Sequence, residues 1–182
     1  MTHPLTLARD QAALVVVDVQ ERLLAEVVRR DRVKANVARL LEAARVLGVP
    51  VVVTEHNAKV FGATAVTPPV PPVHKIIFSC FGVEEFRGKL ASLRRTQLAI
   101  CGLETHICVA QTALDALAAG HQVHVVRDAC SSRTAGNHAV GVAKMEKAGC
   151  TPASTETVIF ELLGRAGTDE FRALLPLIKG KP

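Results

Sequence analysis

Apolar and polar positions along the chain switch repeatedly between two periods, and the switching predicts a fold class. Ala12-Ala-Leu-Val-Val-Val17 is a continuous run rich in β-branched residues, the pattern of a strand covered on both faces within a parallel sheet. From Val33 to Leu47 the apolar residues fall at 33, 37, 40, 41, 44 and 47, one stripe of a helix. The stripe stops at Gly48, with Pro50 just beyond, and Val51-Val-Val53 restarts a strand. Val73-His-Lys-Ile-Ile-Phe78 predicts a short strand, Val83 to Leu93 a helix, and Gln97 to Cys101 a strand. His106 to Ala119 reads as a helix ended by Gly120, Gln122 to Val126 as a strand, and Asn137 to Ala148 as a helix ended by Gly149. Two short helices, over 157–164 and 169–178, close the chain. This strand-and-helix alternation predicts a doubly wound α/β domain with a mostly parallel sheet.

One stretch breaks the pattern. From Glu55 to Pro72 there is no periodicity, much proline and little charge. Such a segment is too long for a routine connection and too short for a second domain, so a lid or a binding wall is expected. With no internal repeat or linker, residues 1–182 are expected to form one domain, long enough to bury about 70% of the unfolded surface.

Composition narrows the function classes. Hydrophobic residues make up 49% of the chain, yet no apolar run approaches the roughly 20 residues of a membrane helix. The start, Met1-Thr-His-Pro-Leu-Thr-Leu-Ala-Arg-Asp10, lacks the basic-then-apolar layout of a signal peptide, so a cytoplasmic location is expected. The net charge of +5 is dispersed: Arg29-Arg30-Asp31-Arg32 is interrupted by an acid, and Arg94-Arg95 stands alone. With no Trp or Tyr to stack on bases, nucleic acid is not an expected partner. The basic balance leaves room for an anionic small molecule. The five cysteines (Cys80, Cys101, Cys108, Cys130, Cys150) form no C-x-x-C pair, and their odd number favours reduced thiols over a disulfide framework.

Each cysteine defaults to a small buried hydrophobe; Cys101 and Cys150 fit that default well, and Cys108 does not. It follows the strand ending in Cys101-Gly-Leu103 and sits where a helix is expected to open. A helix mouth presents unpaired N–H groups and the positive end of the macrodipole, which favour thiolate. Ligands in doubly wound sheets bind outside the carboxyl ends of the strands. That edge also receives Asp18 from the first strand, with Gln20 two residues on, and Glu55 and His56 from the second. Asp18 taken alone reads equally well as a helix cap or turn former. Lys75 lies within an apolar segment, where an ammonium needs a partner or a route to water. Together, Asp18, Lys75 and Cys108 make a hydrolytic set. Asp18 takes the thiol proton and returns it to the leaving group, Lys75 holds the thiolate by charge, and amides of residues 102–108 receive an oxyanion.

Val15-Val-Val-Asp-Val-Gln20, His74-Lys75 before Phe78-Ser79, and Cys101-Gly-Leu-Glu-Thr-His-Ile-Cys-Val109 resemble the three signature blocks of the isochorismatase-like cysteine hydrolases. Val125-Val-Arg-Asp-Ala-Cys-Ser-Ser-Arg133 resembles the segment that follows, so the matches run in order across residues 12–165. The resemblance implies a three-layer αβα sandwich on a six-stranded parallel sheet and an Asp18–Lys75–Cys108 triad. It also implies a cis peptide at Leu103–Glu104, oxyanion donors at the amides of Glu104 and Cys108, and a homo-oligomer.

Nicotinamidases of this family carry an Asp-x-His metal motif, where this chain reads Thr54-Glu-His-Asn57. Zinc on Glu55, His56 and His74 is chemically conceivable but lacks ligand spacing, so no metal or cofactor is expected. The loop from Thr54 to Gly62 and the segment Glu156–Gly164 look more like the isochorismatase-domain proteins of bacteria and animals. Gln20, Glu55, His56, Phe61 and His106 are the substrate-pocket candidates, although His106 equally suits a capping role and Phe61 core packing. The reaction expected is cleavage of a small amide or related C–N bond through a Cys108 thioester. The alternatives are vinyl-ether hydrolysis, thiol redox chemistry, and non-catalytic binding on the same fold.

Overall fold

A computed structural model of the chain describes residue 3 and residues 5–179. Both extremes of the expected 1–182 domain, and part of the Met1–Asp10 leader reading, lie outside those residues. Six parallel strands form one sheet in the order β3-β2-β1-β4-β5-β6. They are β1 (Ala12–Val17), β2 (Val51–His56), β3 (Val73–Lys75), β4 (Gln97–Leu103), β5 (Gln122–Ser131) and β6 (Thr151–Ala153). Every ladder is parallel, where the sequence pattern implied only a mostly parallel sheet. Among the described residues the α-helices are α1 (Glu21–Glu26), α2 (Arg30–Leu47), α3 (Ala58–Phe61), α4 (Glu84–Leu93), α5 (Ala110–Ala118), α6 (Ala135–Lys147), α7 (Thr155–Leu163) and α8 (Asp169–Lys179).

Burial follows the apolar pattern. All six residues of β1 and all seven of β4 are buried, because helices cover both faces of the central strands. The α2 stripe, Val33, Val37, Leu40, Leu41, Ala44 and Leu47, is buried as well. Helices α2, α7 and α8 pack together on one face, while α5 and α6 pack together on the other, making three layers.

Short elements escaped the pattern. Helices α1 and α3 have six and four residues, and β6 has three with Pro152 at its centre, too few for either period to register. β3 ends at Lys75, not Phe78, because Ile77 and Phe78 leave the sheet and turn their carbonyls onto the Lys75 ammonium. The helix expected from His106 begins as a π turn, Thr105–Val109, and continues into α5.

The order of strands reverses between β1 and β4: the chain runs outward through β2 and β3 on one side, then through β5 and β6 on the other. Ligand crevices open at such a reversal, beyond the strands' carboxyl ends. Two close approaches shape it. Gly102 has φ +126°, and a Cβ there would lie 2.0 Å from the Val17 carbonyl oxygen, so only glycine lets β4 run this close to the end of β1. Gly141 lets α6 press on the π turn, since its Cβ would come within 2.8 Å of the His106 backbone.

Candidate active site

Asp18 leaves the end of β1 with φ +52°, a left-handed conformation that Asp tolerates better than most residues. Its side chain is fully buried. Oδ1 accepts a 2.7 Å hydrogen bond from the Thr54 hydroxyl on β2, and Oδ2 lies 2.6 Å from Lys75 Nζ. The ammonium donates further to the carbonyls of Ile77 (3.2 Å) and Phe78 (2.9 Å), so three oxygens surround it. Burial works against its charge, but Asp18 foremost, with Cys108 and Cys80, holds Lys75 above the ordinary lysine range. Two buried ions are tolerable here because each carries other hydrogen bonds as well as the pair itself.

The π turn delivers Cys108 to this pair, and the thiol interacts with both the Asp18 carboxylate and the Lys75 ammonium. The helix-mouth position favours thiolate, but the surroundings of the sulfur act in the opposite direction. Burial and the Asp18 charge push the thiol up to about 12, and Lys75 offsets only part of that rise. The sulfur is therefore protonated at neutral pH, beside a carboxylate able to accept the proton. The Leu103–Glu104 peptide bond at the start of the turn is cis.

Cys108 contributes to a cavity of about 680 Å³ walled by Leu23, His56, Val60, Phe61, Phe78 and Ile107, with Arg22, Glu26, Glu104 and Arg133 as its charged lining. The His56 ring packs against Phe61 at 5.7 Å and Phe78 at 5.6 Å between centroids. Burial and the Lys75 charge lower its pKa, so the imidazole facing the cavity is neutral. Arg133 Nε pairs with Glu104 Oε1 at 2.8 Å. A larger groove of about 810 Å³ lies between α2 and the loop around Pro68, but holds no member of the Asp18–Lys75–Cys108 group.

Asp18, Lys75, Cys108, His56, Phe61 and Glu104 thus come together, and three pocket candidates do not join the cavity lining. Gln20 is fully buried and works as a clamp, its Oε1 accepting from the His56 amide and its Nε2 donating to the Gly62 carbonyl, both at 2.7 Å. Glu55 points to the opposite face of β2 from His56, as strand alternation requires. It accepts from the Thr64 amide and hydroxyl, both at 2.7 Å, and meets His74 Nδ1 at 3.5 Å. His106 turns its Nδ1 to Ser132 Oγ, 3.0 Å away. The alternation that separates Glu55 from His56 also prevents both from joining His74 around one ion. Among the described residues no cluster of three or more His, Cys, Asp or Glu side chains could hold a metal.

Sequence reasoning missed Thr54, which orients Asp18, and Cys80, whose Sγ lies 3.7 Å from Thr54 Oγ1. Burial and the Asp18 charge push the Cys80 thiol to about 11. Thr54 was discoverable in principle: an inward hydroxyl beside the end of β1 becomes a candidate once the β1–β2 register is known, with Val17 opposite Thr54. Arg133 and Ile107 carried no comparable signal.

The fold is thus a three-layer α/β sandwich with a cysteine, a carboxylate and an ammonium gathered at its switch point. The family model of the isochorismatase domain matches residues 12–157, and this chain belongs to that family. It is 35% identical over 177 residues to the secreted isochorismatase effector Isc1 of Phytophthora sojae, covering 92% of this chain and 84% of that protein. Among solved structures it is similar to MAR1 ribonuclease from Caenorhabditis elegans, with TM-score 0.90, 30% identity, and coverage of 96% and 93% of the two chains. It is also similar to YcaC from Pseudomonas aeruginosa with hexane-2,5-diol and covalent acrylamide, with TM-score 0.88, 27% identity, and coverage of 94% and 91%.

Proposed function

We propose that this protein is a metal-independent cysteine hydrolase that cleaves a small amide or related C–N bond through a Cys108 thioester. The observation that carries the reading is a buried thiol that interacts with the Asp18–Lys75 pair at the wall of a half-open, largely apolar cavity. Asp18 removes the thiol proton as sulfur attacks the carbonyl carbon. The transfer stays within the cluster: once Asp18 is protonated, the charge that opposed the thiolate is gone and Lys75 stabilises the sulfur. Backbone amides of Glu104 and Cys108 receive the oxyanion. Asp18 then protonates the departing amine as the C–N bond breaks, leaving the acyl group on sulfur. Water, losing its proton to Asp18, hydrolyses the thioester and regenerates the thiol.

Phe61, Phe78 and the neutral His56 favour an uncharged, flat acyl group. A redox sensor would need a low-pKa thiolate, which this burial disfavours. The covalent acrylamide in the YcaC relative accords with an electrophile-accepting site in this family. All five cysteines are free, which suits a reducing cytoplasmic setting. Exposed Ile76, Ile77 and Phe78, following the edge strand β3, suit burial in a homo-oligomer.

The test is a hydrolysis screen of the purified protein against small amides and ureides, with Cys108→Ala in parallel. Turnover that Cys108→Ala abolishes, with an acyl adduct on Cys108 in intact-mass spectra, is the expected result. Turnover that survives in the variant overturns the mechanism.

A further inference from the structure

Away from the cysteine cavity, a cleft of about 420 Å³ opens between the start of α2, the middle of β5 and the start of α7. Arg29, Arg32 and Arg127 line it, together with His138 from α6. Neither Arg29 nor Arg32 has an ion-pair partner among the described residues, and Arg127 meets Glu146 at only 3.6 Å. The acid within the cleft, Asp128, is committed to the protein. Its Oδ1 accepts from the Thr155 amide (2.7 Å) and hydroxyl (3.0 Å), and its Oδ2 accepts from Asn36 Nδ2 (3.1 Å). The guanidinium charges are close enough that, after burial, all three depress the His138 pKa. Like charges gathered this way repel one another unless something negative sits among them.

The cleft also has a connection. His138 Nδ1 lies 2.9 Å from Thr105 Oγ1, and Thr105, itself fully buried, begins the π turn that carries Cys108. Gly141, one turn further along α6, is the residue that lets this helix lie directly on that turn.

We propose that the cleft binds a phosphate-type dianion between Arg29, Arg32 and Arg127, and that His138 transmits its occupancy to the cysteine turn through Thr105. Planar guanidinium forks match the oxygens of such an anion, and their number exceeds what Asp128 and Glu146 neutralise. A bound dianion cancels the arginine charges that, after burial itself, hold the His138 pKa down. The protonated ring has no lone pair for the Thr105 hydroxyl, so that hydroxyl must act as the acceptor. The groups facing His138 are Arg29 and Arg32 at the start of α2, Arg127 and Asp128 on β5, and Thr105 on the π turn.

The experiment titrates inorganic phosphate into the full-length protein at constant ionic strength, following the His138 ring resonances by NMR and the heat by calorimetry. Saturable binding is expected, weakened about tenfold or more in Arg29→Gly/Arg32→Ala, the cost of losing charge-assisted hydrogen bonds. Glycine suits position 29, where φ is +56°, so the pair of substitutions leaves the fold intact and the melting temperature checks this. Sulfate, whose charge is constant between pH 6 and 8, is expected to bind more tightly as pH falls, because binding and His138 protonation favour each other. Equal resonance shifts with chloride, or undiminished phosphate binding by the double variant, overturn the proposal.

Discussion

Replacing Lys75 with methionine tests the buried pair most directly. The substitution keeps most of the side-chain volume and removes the ammonium 2.6 Å from Asp18, leaving a fully buried carboxylate without its counter-charge. At an effective dielectric of about 20, that separation corresponds to a Coulomb attraction of about 6 kcal/mol. The whole amount is not forfeited, because Asp18 can neutralise itself by taking up a proton. Starting from an unfolded value of about 3.9, protonation at pH 7 costs about 4 kcal/mol, which limits the electrostatic loss and agrees with the 3–5 kcal/mol typical of breaking a buried pair. The limit moves with pH. The variant's folded state binds a proton that its unfolded state does not, so its stability rises as pH falls, and the charge-related deficit shrinks to about 1.5 kcal/mol at pH 5. Urea denaturation of both proteins at pH 5, 6 and 7 measures this. The double variant Asp18→Asn/Lys75→Met, with no charge left to bury, should show no such slope. A deficit independent of pH, or one below about 1 kcal/mol at pH 7, would refute the assignment of Asp18 and Lys75 as a mutually dependent pair.

In the native protein the sign differs. Lys75 is raised above the ordinary lysine range, so its stabilising contribution persists through neutral pH and fades only as pH climbs past that range. Alkylation of Cys108, resolved by peptide mass spectrometry, should accelerate steadily with pH without levelling near 8.5, since its thiol lies at about 12. In Asp18→Asn the inflection should move down, because a major cause of the rise has been removed; an unchanged profile would count against the contact. Thr54→Val deletes the hydroxyl that donates to Asp18 and should cost about 1.5–3 kcal/mol in a thermal or urea melt, the range for a hydrogen bond to a charged group. Gly141→Ala should destabilise by about 1–3 kcal/mol, although alanine is the better helix former by about 1 kcal/mol. Its Cβ would meet rigid backbone at His106 and overpacking outweighs propensity; a more stable variant would contradict the packing described.

Local periodicity determined what locally periodic elements can determine. The β-branched run of β1 and the 3.6-residue stripe of α2 are readable because burial on a sheet, or on one helical face, imposes a repeat on the sequence itself. Asp18, Lys75 and Cys108 were legible as candidates because each carries costly chemistry next to an apolar segment. Helices α1 and α3, with six and four residues, span too few turns to show a helical repeat, and β6 has three residues with Pro152 at its centre. The tertiary structure alone decided what those candidates meet. Glu55 and His56 are adjacent in sequence, yet the pleat sends one to Thr64 and the other to the cavity. Gln20 stands two residues beyond Asp18, yet spends its amide on backbone atoms of the chain around β2 and α3. The surroundings of the Cys108 thiol were likewise hidden from the sequence. A helix mouth favours thiolate locally, but burial and the Asp18 charge belong to residues far apart along the chain, and in a low-dielectric interior they dominate.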